Sequence, residues 1–402
     1  MSDDTIVAMT AEGQSSSAPR ILIASASVGA GHNQAARAVA EGLRAAMPAA
    51  EVDVLDVLTM APWSFRAYYS GGYALSVSHF PRSYGFFFRL NDRPHHPARS
   101  LMERFRLWRE RLHLGRFVRR VQQARPDLIV HTHLLGPPLL GRLIAAGRLD
   151  VPQMVVVTDI YVHRYWYAEG VDRWFAPAEC SARTLRRWGI EPERITVSGI
   201  PIQAKWTEPL DRERVLADWR LPTDRPVVLL TGGTEFTCGP VAKIARRIAA
   251  RCPGALVAVL AGRNKKLLGR LARLPQAGRD VIGVPFTDRV HELVGVCTLM
   301  VTKAGGITTA ECLAKGAPMV LLKPVPGQEA GNAAWLAEQG AAIVTRNTRD
   351  AVDAVRRLLG EPGELTRMAA RARELYRPAT ETIVRAVREA VSPDGPATAS
   401  GR

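Results

Sequence analysis

This 402-residue sequence predicts an α/β protein made of two Rossmann-like, doubly wound domains facing a cleft. Three observations carry the prediction. Short apolar runs ending in glycine loops alternate with stretches of helical spacing, the pattern of a parallel sheet covered by helices on both faces. The pattern starts twice, at Arg20 and again at Pro226, with a linker between. The length, with 47% apolar and 23% charged residues, is ordinary material for two globular domains. The expected bounds are 20–203 and 204–378. Residues 1–19 and 392–402 are small and polar and read as disordered tails.

The first strand is Arg20–Ser27. It runs into a glycine loop that closes on Gly31 and His32. The helix Gln34–Met47 follows, with Ala35, Val39 and Leu43 on one face. The loop lacks the third glycine of a dinucleotide fingerprint, so a cofactor of the NAD type is not supported. Val52–Leu55 is a second strand. From Trp63 to Phe88 the chain then carries ten aromatics, Phe86 and Phe87 among them. From Arg82 to Arg125 it carries twelve arginines, Arg89 included, against three acids. Leu101, Phe105, Trp108 and Leu112 fall at helical spacing. Rings beside guanidinium groups suit an element lying in a lipid headgroup layer. A core-facing helix with a solvated basic back is the equally open alternative. Nucleic acid ranks lower, because no recognisable module organises the charges. Further strands are Asp127–His131, Gln153–Thr158 with Asp159 at its end, Arg173–Ala176 and Ile195–Ile200; Glu179–Trp188 is a helix.

The second half opens on strand Pro226–Leu230 and a glycine turn containing Gly232, Gly233 and Thr234. Helix Val241–Arg251 and strands Ala255–Leu260, Asp280–Val284 and Leu299–Val301 follow. Lys303, Gly305 and Gly306 then lead into a helix over Thr308–Lys315. Strand Met319–Leu322 ends in a polar loop, Pro326–Glu329, that starts another helix. Two such turns at neighbouring strand ends make a crevice for a nucleotide or its phosphates, with helix N–H groups aimed into it. A lone Gly-Gly is more often only a tight turn. Its company argues otherwise. Glu311 lies one turn into the helix, where a carboxylate reaches a ribose diol. Gln328, Glu329 and Asn332 supply amide and carboxylate groups for sugar hydroxyls.

A formal charge of +16 implies an anionic partner: nucleic acid, an anionic lipid surface or a phosphorylated substrate. Five cysteines without a CxxC pair predict free thiols in a reducing compartment and no zinc site. No signal peptide is visible, and no uncharged run reaches the ~18 apolar residues that span a bilayer. The expected location is cytoplasmic, at most lying on a membrane.

The segment KAGGITTAECLAKGAP with PGQEAGN after it resembles the donor-sugar half of a family of lipid-directed glycosyltransferases. That family includes plant monogalactosyldiacylglycerol synthase and the bacterial processive diacylglycerol glucosyltransferases; the enzyme that makes lipid II is a more distant relative. SASVGAGHNQAARA is similar to the family's amino-terminal motif, although Ala30 stands where glycine is more usual. TDIYVHRYWYAEGVDRWFAPAE and Gly199–Ile202 also resemble family segments. The resemblance covers roughly residues 20–345. It implies the two-domain GT-B fold, with an amino-terminal acceptor and membrane-binding domain, a carboxyl-terminal nucleotide-sugar domain, and a last helix, 379–391, crossing back to the first.

It further implies inverting transfer of glucose or galactose from a UDP-sugar to diacylglycerol, at the inner face of the cell membrane, with no cofactor. UDP-glucose or UDP-galactose, diacylglycerol and an anionic lipid surface are the expected partners, and no nucleic acid is. Preorganised N–H donors stabilise a leaving diphosphate without a metal. Gly232, Gly233, Thr234, Gly305, Gly306 and Thr308 are the candidates for that clamp, with Arg263 and Lys303 to neutralise charge. Glu311 is the candidate for the ribose, and Gln328, Glu329 and Asn332 for the sugar. Gly31, Trp63, Phe86, Phe87, Phe88, Arg89 and Trp108 are the candidates for acceptor and membrane contact. His32 is the candidate base, because a neutral imidazole accepts a proton at cellular pH. A helix amino terminus would keep it neutral. Asp159 would orient His32 or the acceptor, or cap a helix. His131, His133 and His163 are weaker candidates, and no third ligand makes a metal site of them. Two alternatives stay open: a polyprenyl-linked or secondary-metabolite acceptor, and a non-catalytic basic protein that binds membrane or nucleic acid.

Overall fold

A computed structural model describes residues 18–72, 83, 85, 86, 88, 92, 101–233 and 240–392. Thr234, Phe87, Arg89, Cys238 and both expected tails, apart from residues 18, 19 and 392, lie outside the described residues. In chain order the first domain runs β1 (Arg20–Ser25), α1 (Gly31–Ala46), β2 (Glu51–Asp56), a short α2 (Trp63–Arg66), α3 (Leu101–His113), α4 (Gly115–Ala124), β3 (Leu128–His131), α5 (Pro137–Ala145), β4 (Gln153–Val156), β5 (Arg173–Ala176), α6 (Glu179–Arg187) and β6 (Ile195–Val197). The second runs α7 (Arg212–Asp218), β7 (Val227–Thr231), α8 (Val241–Arg251), β8 (Leu256–Gly262), α9 (Lys265–Ala272), β9 (Val281–Pro285), α10 (Val290–Val296), β10 (Leu299–Thr302), α11 (Gly306–Lys315), β11 (Met319–Leu321), α12 (Gln328–Glu338), β12 (Ala342–Val344), α13 (Thr348–Gly360) and α14 (Pro362–Leu375). A last helix, α15 (Ala379–Val391), returns to the first domain and packs on α1.

Each domain is one six-stranded sheet, in the orders β2-β1-β3-β4-β5-β6 and β12-β11-β10-β7-β8-β9. Every pairing is parallel. The sequence dictates this. Ile21–Ala24, Leu128–Val130 and Val227–Leu230 are unbroken apolar runs, as strands covered on both faces must be, and all are buried. Edge strand β2 is mostly exposed or half-buried along its length. On one face of the first sheet Ile21, Ile23 and Val130 pack with Val39 and Leu43 of α1 and Ile383 and Val387 of α15. On the other, Leu22, Ala24 and Ile129 pack with Phe117 and Val121 of α4 and Leu140 of α5.

Two local features differ from expectation. Helix α1 starts at Gly31, so His32 lies in its first turn and not in the loop before it. Gly29, at φ +73°, makes the turn in a left-handed conformation, and Ala30 is already helical. The apolar stripe of α3 faces outward: Phe105, Trp108 and Leu112 are 60%, 54% and 61% exposed, while Leu107 and Glu110 are buried. The core-facing alternative, made for 99–123, therefore does not hold for this stripe of α3 but does hold for α4, where Phe117 and Val121 are buried in the core. Trp63 and Phe86 are exposed as well, but Phe88 is buried, its ring centroid 4.1 Å from that of His163. Phe88, expected in acceptor or membrane contact, is thus a buried residue lining the cavity and not an exposed ring. Among the described residues no helix is long and apolar enough to cross a membrane.

Candidate functional site

The carboxyl ends of the two sheets face each other across a cavity of about 1390 Å³. Such strand ends are where open α/β sheets hold ligands. The first domain contributes Gly31, His32, Thr158, Asp159 and Trp166. The second contributes Gly233, Arg263, Lys303, Gly305, Gly306, Thr308, Glu311, Gln328 and Glu329. Two residues expected with them are not in the lining. Gly232 is buried beneath its turn, and Asn332 is buried between the domains.

His32 follows β1 and is held by residues 100 and more positions away. Its Nδ1 lies 3.0 Å from the Thr132 carbonyl oxygen and 2.9 Å from Thr158 Oγ1. Thr132 Oγ1 donates to the His32 carbonyl at 3.1 Å. A carbonyl only accepts, so Nδ1 carries the proton and Nε2 keeps its lone pair. The ring sits edge-on to His133 at 4.6 Å and near Trp166 at 6.1 Å. Burial lowers the His32 pKa, against the opposing pull of Asp159 and the Thr132 hydrogen bond. Burial is the largest cause of the lowered value, and the place of His32 in the first turn of α1 is where a helix terminus also disfavours the imidazolium.

Of the roles expected for Asp159, orienting His32 or the acceptor or capping a helix, no direct hydrogen bond to His32 is among its contacts with the described residues; Thr132 and Thr158 hold the His32 Nδ1. The Asp159 carboxylate instead accepts from Asn332 Nδ2 at 3.2 Å. Burial raises its pKa, partly offset by His32 and by the Asn332 hydrogen bond. Asn332 is fully engaged: Nδ2 also donates to the Ala304 carbonyl at 3.0 Å, and Oδ1 accepts from the Tyr161 N–H at 3.0 Å. An amide spent on three partners has little left for a sugar hydroxyl, so Asn332 joins the domains here.

On the side of the second domain, Gly305 precedes α11 and Gly306 is its first residue, so the free N–H groups of that helix point into the cavity. A methyl group on Gly306 would come within 1.9 Å of the Thr158 carbonyl oxygen, so only glycine allows the domains to meet here. The Gly233 N–H donates to Thr231 Oγ1 at 3.2 Å. Lys303 Nζ pairs with Glu329 at 2.7 Å, which ties two expected donor contacts to each other. Arg263 lies over the Phe286 ring at 4.0 Å on the cavity wall. Burial pushes the Glu311 carboxyl up to about 8, against a weaker opposing pull from Lys205.

The far end of the cavity is lined by Tyr68, Tyr69, Phe88, Arg106, Arg109, Glu110 and Tyr165. Arg106 pairs with buried Glu110 at 2.8 Å and lies over Tyr165; Arg109 lies over Tyr68. The other candidate histidines have partners as well, although His131 Nδ1 is buried without one among the described residues. His131 is buried outside the cavity against Gln153 at 2.9 Å, and burial pulls it down to about 4. His133 accepts from the Leu135 N–H, and His163 from the Tyr165 N–H. Among the described residues no group of three His, Cys, Asp or Glu side chains is placed to hold a metal. Thr132, Thr158 and Tyr161 are not among the expected site residues, although Thr158 and Tyr161 lie in the segment TDIYVHRYWYAEGVDRWFAPAE that resembles the family.

The arrangement sets an acceptor of protons, His32 Nε2, across a shared cavity from a helix terminus suited to a diphosphate. Known proteins match it domain by domain. The family model described as "Monogalactosyldiacylglycerol (MGDG) synthase" matches residues 32–202, and "Glycosyltransferase family 28 C-terminal domain" matches 227–381. The processive diacylglycerol beta-glucosyltransferase of Bacillus mycoides is 30% identical over 260 residues, 64% of this chain and 66% of that one, just short of two thirds. The same-named protein of Bacillus licheniformis is 29% identical over 262 residues, 64% and 66% of the two chains. Among solved structures, S. aureus MnaA with UDP aligns with a TM-score of 0.60 at 15% identity, covering 94% of this chain and 99% of that one. Acinetobacter baumannii MurG aligns at 0.57 and 18%, covering 92% and 99%. At such identities these two speak for the GT-B fold alone. Both family models fit in tandem, so the chain is similar to the monogalactosyldiacylglycerol synthases in its first domain and to the family 28 glycosyltransferases in its second.

Proposed function

We propose that this chain moves a hexose, glucose or galactose, from a UDP-sugar to the free hydroxyl of diacylglycerol, with inversion at the sugar C1. The observation that carries the proposal is the opposition of His32 Nε2 to the amino terminus of α11 across one cavity. As the acceptor oxygen bonds to C1, its proton passes to His32 Nε2 and the C1–O bond to UDP breaks. Charge then grows on the diphosphate, where the N–H groups at Gly306–Thr308 and the Lys303 ammonium stabilise it. Glu311 takes the ribose diol, while Gln328 and Glu329 take sugar hydroxyls. With the nucleotide on the α face, attack from the side of His32 yields the β-glycoside. The relatives' names, processive diacylglycerol beta-glucosyltransferase, support both the acceptor and this stereochemistry.

The exposed aromatics Trp63, Phe86, Phe105 and Trp108, set beside the arginines of α3 and α4, support docking on an anionic lipid surface. On that reading the chain works at the inner face of the cell membrane. The test is to incubate the protein with labelled UDP-glucose or UDP-galactose and vesicles containing diacylglycerol, then identify the labelled lipid. A β-hexosyl diacylglycerol is expected. Label appearing only in a polyprenyl-linked or water-soluble acceptor would overturn the acceptor assignment, and no turnover of either donor would overturn the enzyme.

A further inference from the structure

We infer that Thr158 is the positioning residue of the base: its hydroxyl shares the His32 Nδ1 proton with the Thr132 carbonyl, and the donor domain holds it there. The inference rests on the transfer reading above. Thr158 lies just past the end of β4 and is 4% exposed. Its Oγ1 is 2.9 Å from His32 Nδ1, and the Thr132 carbonyl oxygen is 3.0 Å from the same nitrogen. One N–H between two acceptors is held in tautomer and in ring rotation, so the Nε2 lone pair keeps a single aim.

Thr158 is also where the second domain arrives. Gly306 seats on its carbonyl oxygen, so closely that a Cβ there would lie at 1.9 Å. The neighbouring contacts fall on the same stretch of chain: Asn332 bonds Asp159 at 3.2 Å and the Tyr161 N–H at 3.0 Å. Docking of the donor domain therefore fixes the threonine that fixes the imidazole. The base is aimed only when the helix terminus that receives the diphosphate is in place.

The charged and titratable groups facing His32 are Asp159 and His133, with Lys303 and Glu329 beyond Asp159. All of them survive Thr158→Val, which removes the hydroxyl, nearly keeps the shape, and leaves Nδ1 bonded to Thr132. Acceptors on Nδ1 stabilise the imidazolium, so losing one lowers the His32 pKa. The experiment measures the pH dependence of kcat and KM for wild type, Thr158→Val and Thr158→Ser, with ring-nitrogen NMR of His32 in each. Thr158→Val is expected to lower kcat about two- to tenfold, the share of one modest hydrogen bond. The KM for the UDP-sugar should stay unchanged and the acidic limb should move to lower pH. Thr158→Ser should restore both.

Wild-type kcat and limb in Thr158→Val, or a serine variant as slow as the valine one, would overturn the inference. So would a spectrum showing the proton on Nε2 in the wild type. The spectrum needs no substrate, so an absence of sugar transfer by the wild type would sink the transfer reading separately from this one.

Discussion

Gly306→Ala is the sharpest single perturbation the structure offers, because one methyl group meets the opposite domain. The added Cβ would lie 1.9 Å from the Thr158 carbonyl oxygen, and relief to ordinary contact at 3.4 Å asks for a shift of about 1.5 Å. The carbonyl is backbone beside buried strand β4, so the shift must come from separation of the domains. Misplacing reacting groups by about 1 Å costs on the order of 100-fold in rate. That loss is about 2.7 kcal/mol of transition-state stabilisation. The adjacent Gly305→Ala is the built-in control. Gly305 has φ −75°, which any residue adopts, and its added methyl would sit 3.7 Å from Lys303 Cε, an ordinary contact. Steady-state transfer to diacylglycerol vesicles, with small-angle scattering to read the domain separation, is the assay. Gly306→Ala should lose about 100-fold in kcat and open the cleft, whereas Gly305→Ala should stay within about threefold of wild type. Equal behaviour of the two variants would refute the claim that Gly306 serves domain contact.

Further outcomes follow from charge and exposure. The Glu311 carboxyl, raised to about 8 from 4.5, keeps in the folded state a proton that the unfolded chain releases between those values, so its contribution to stability falls as pH rises through that window. Glu311→Gln should therefore be more stable than wild type at pH 8.5, by at most about 5 kcal/mol and nearer 1–2 kcal/mol with water in the cavity, and equal to it near pH 4; urea titrations showing the same difference at both pH values would contradict this. In transfer assays near neutral pH the same variant should raise the KM for the UDP-sugar about two- to tenfold, the share of one hydrogen bond. Phe105→Ala with Trp108→Ala removes two exposed rings, each worth roughly 1.5–3 kcal/mol when buried. Affinity for anionic vesicles, measured by flotation, should fall at least about tenfold with UDP binding unchanged; undiminished flotation would detach this face from the membrane.

The alternation of apolar runs and glycine turns was enough to place both sheets, since strands buried on both faces leave unbroken Val, Ile and Leu runs. Strand ends were legible too, and with them His32, Asp159, Gly306 and Glu311, because a parallel sheet sends all its carboxyl ends to one side. Periodicity could group Phe105, Trp108 and Leu112 on one face of α3 but not say which way that face turns. The direction depends on buried Leu107 and Glu110, and a buried glutamate is not what an apolar pattern suggests. Contacts between distant segments stayed hidden. The hydroxyl on His32 belongs to a residue 126 positions away, and the bond from Asn332 to Asp159 spans 173. Asn332 read naturally as a sugar ligand from its place in a polar loop; only the docked domains show its amide already taken. Phe88 likewise looked like its neighbour Phe86 until one proved buried and the other exposed.

His32→Gln separates binding from chemistry more directly than any other change, because glutamine keeps much of the size and polarity but cannot take up the acceptor's proton. UDP affinity by calorimetry and transfer from UDP-hexose to diacylglycerol would be measured on the same preparation. The predicted result is unchanged UDP affinity with kcat down by about 100- to 10,000-fold, the range of a lost general base. A variant that still transfers at the wild-type rate would show that the imidazole between Thr132 and Thr158 is not the group that deprotonates the acceptor.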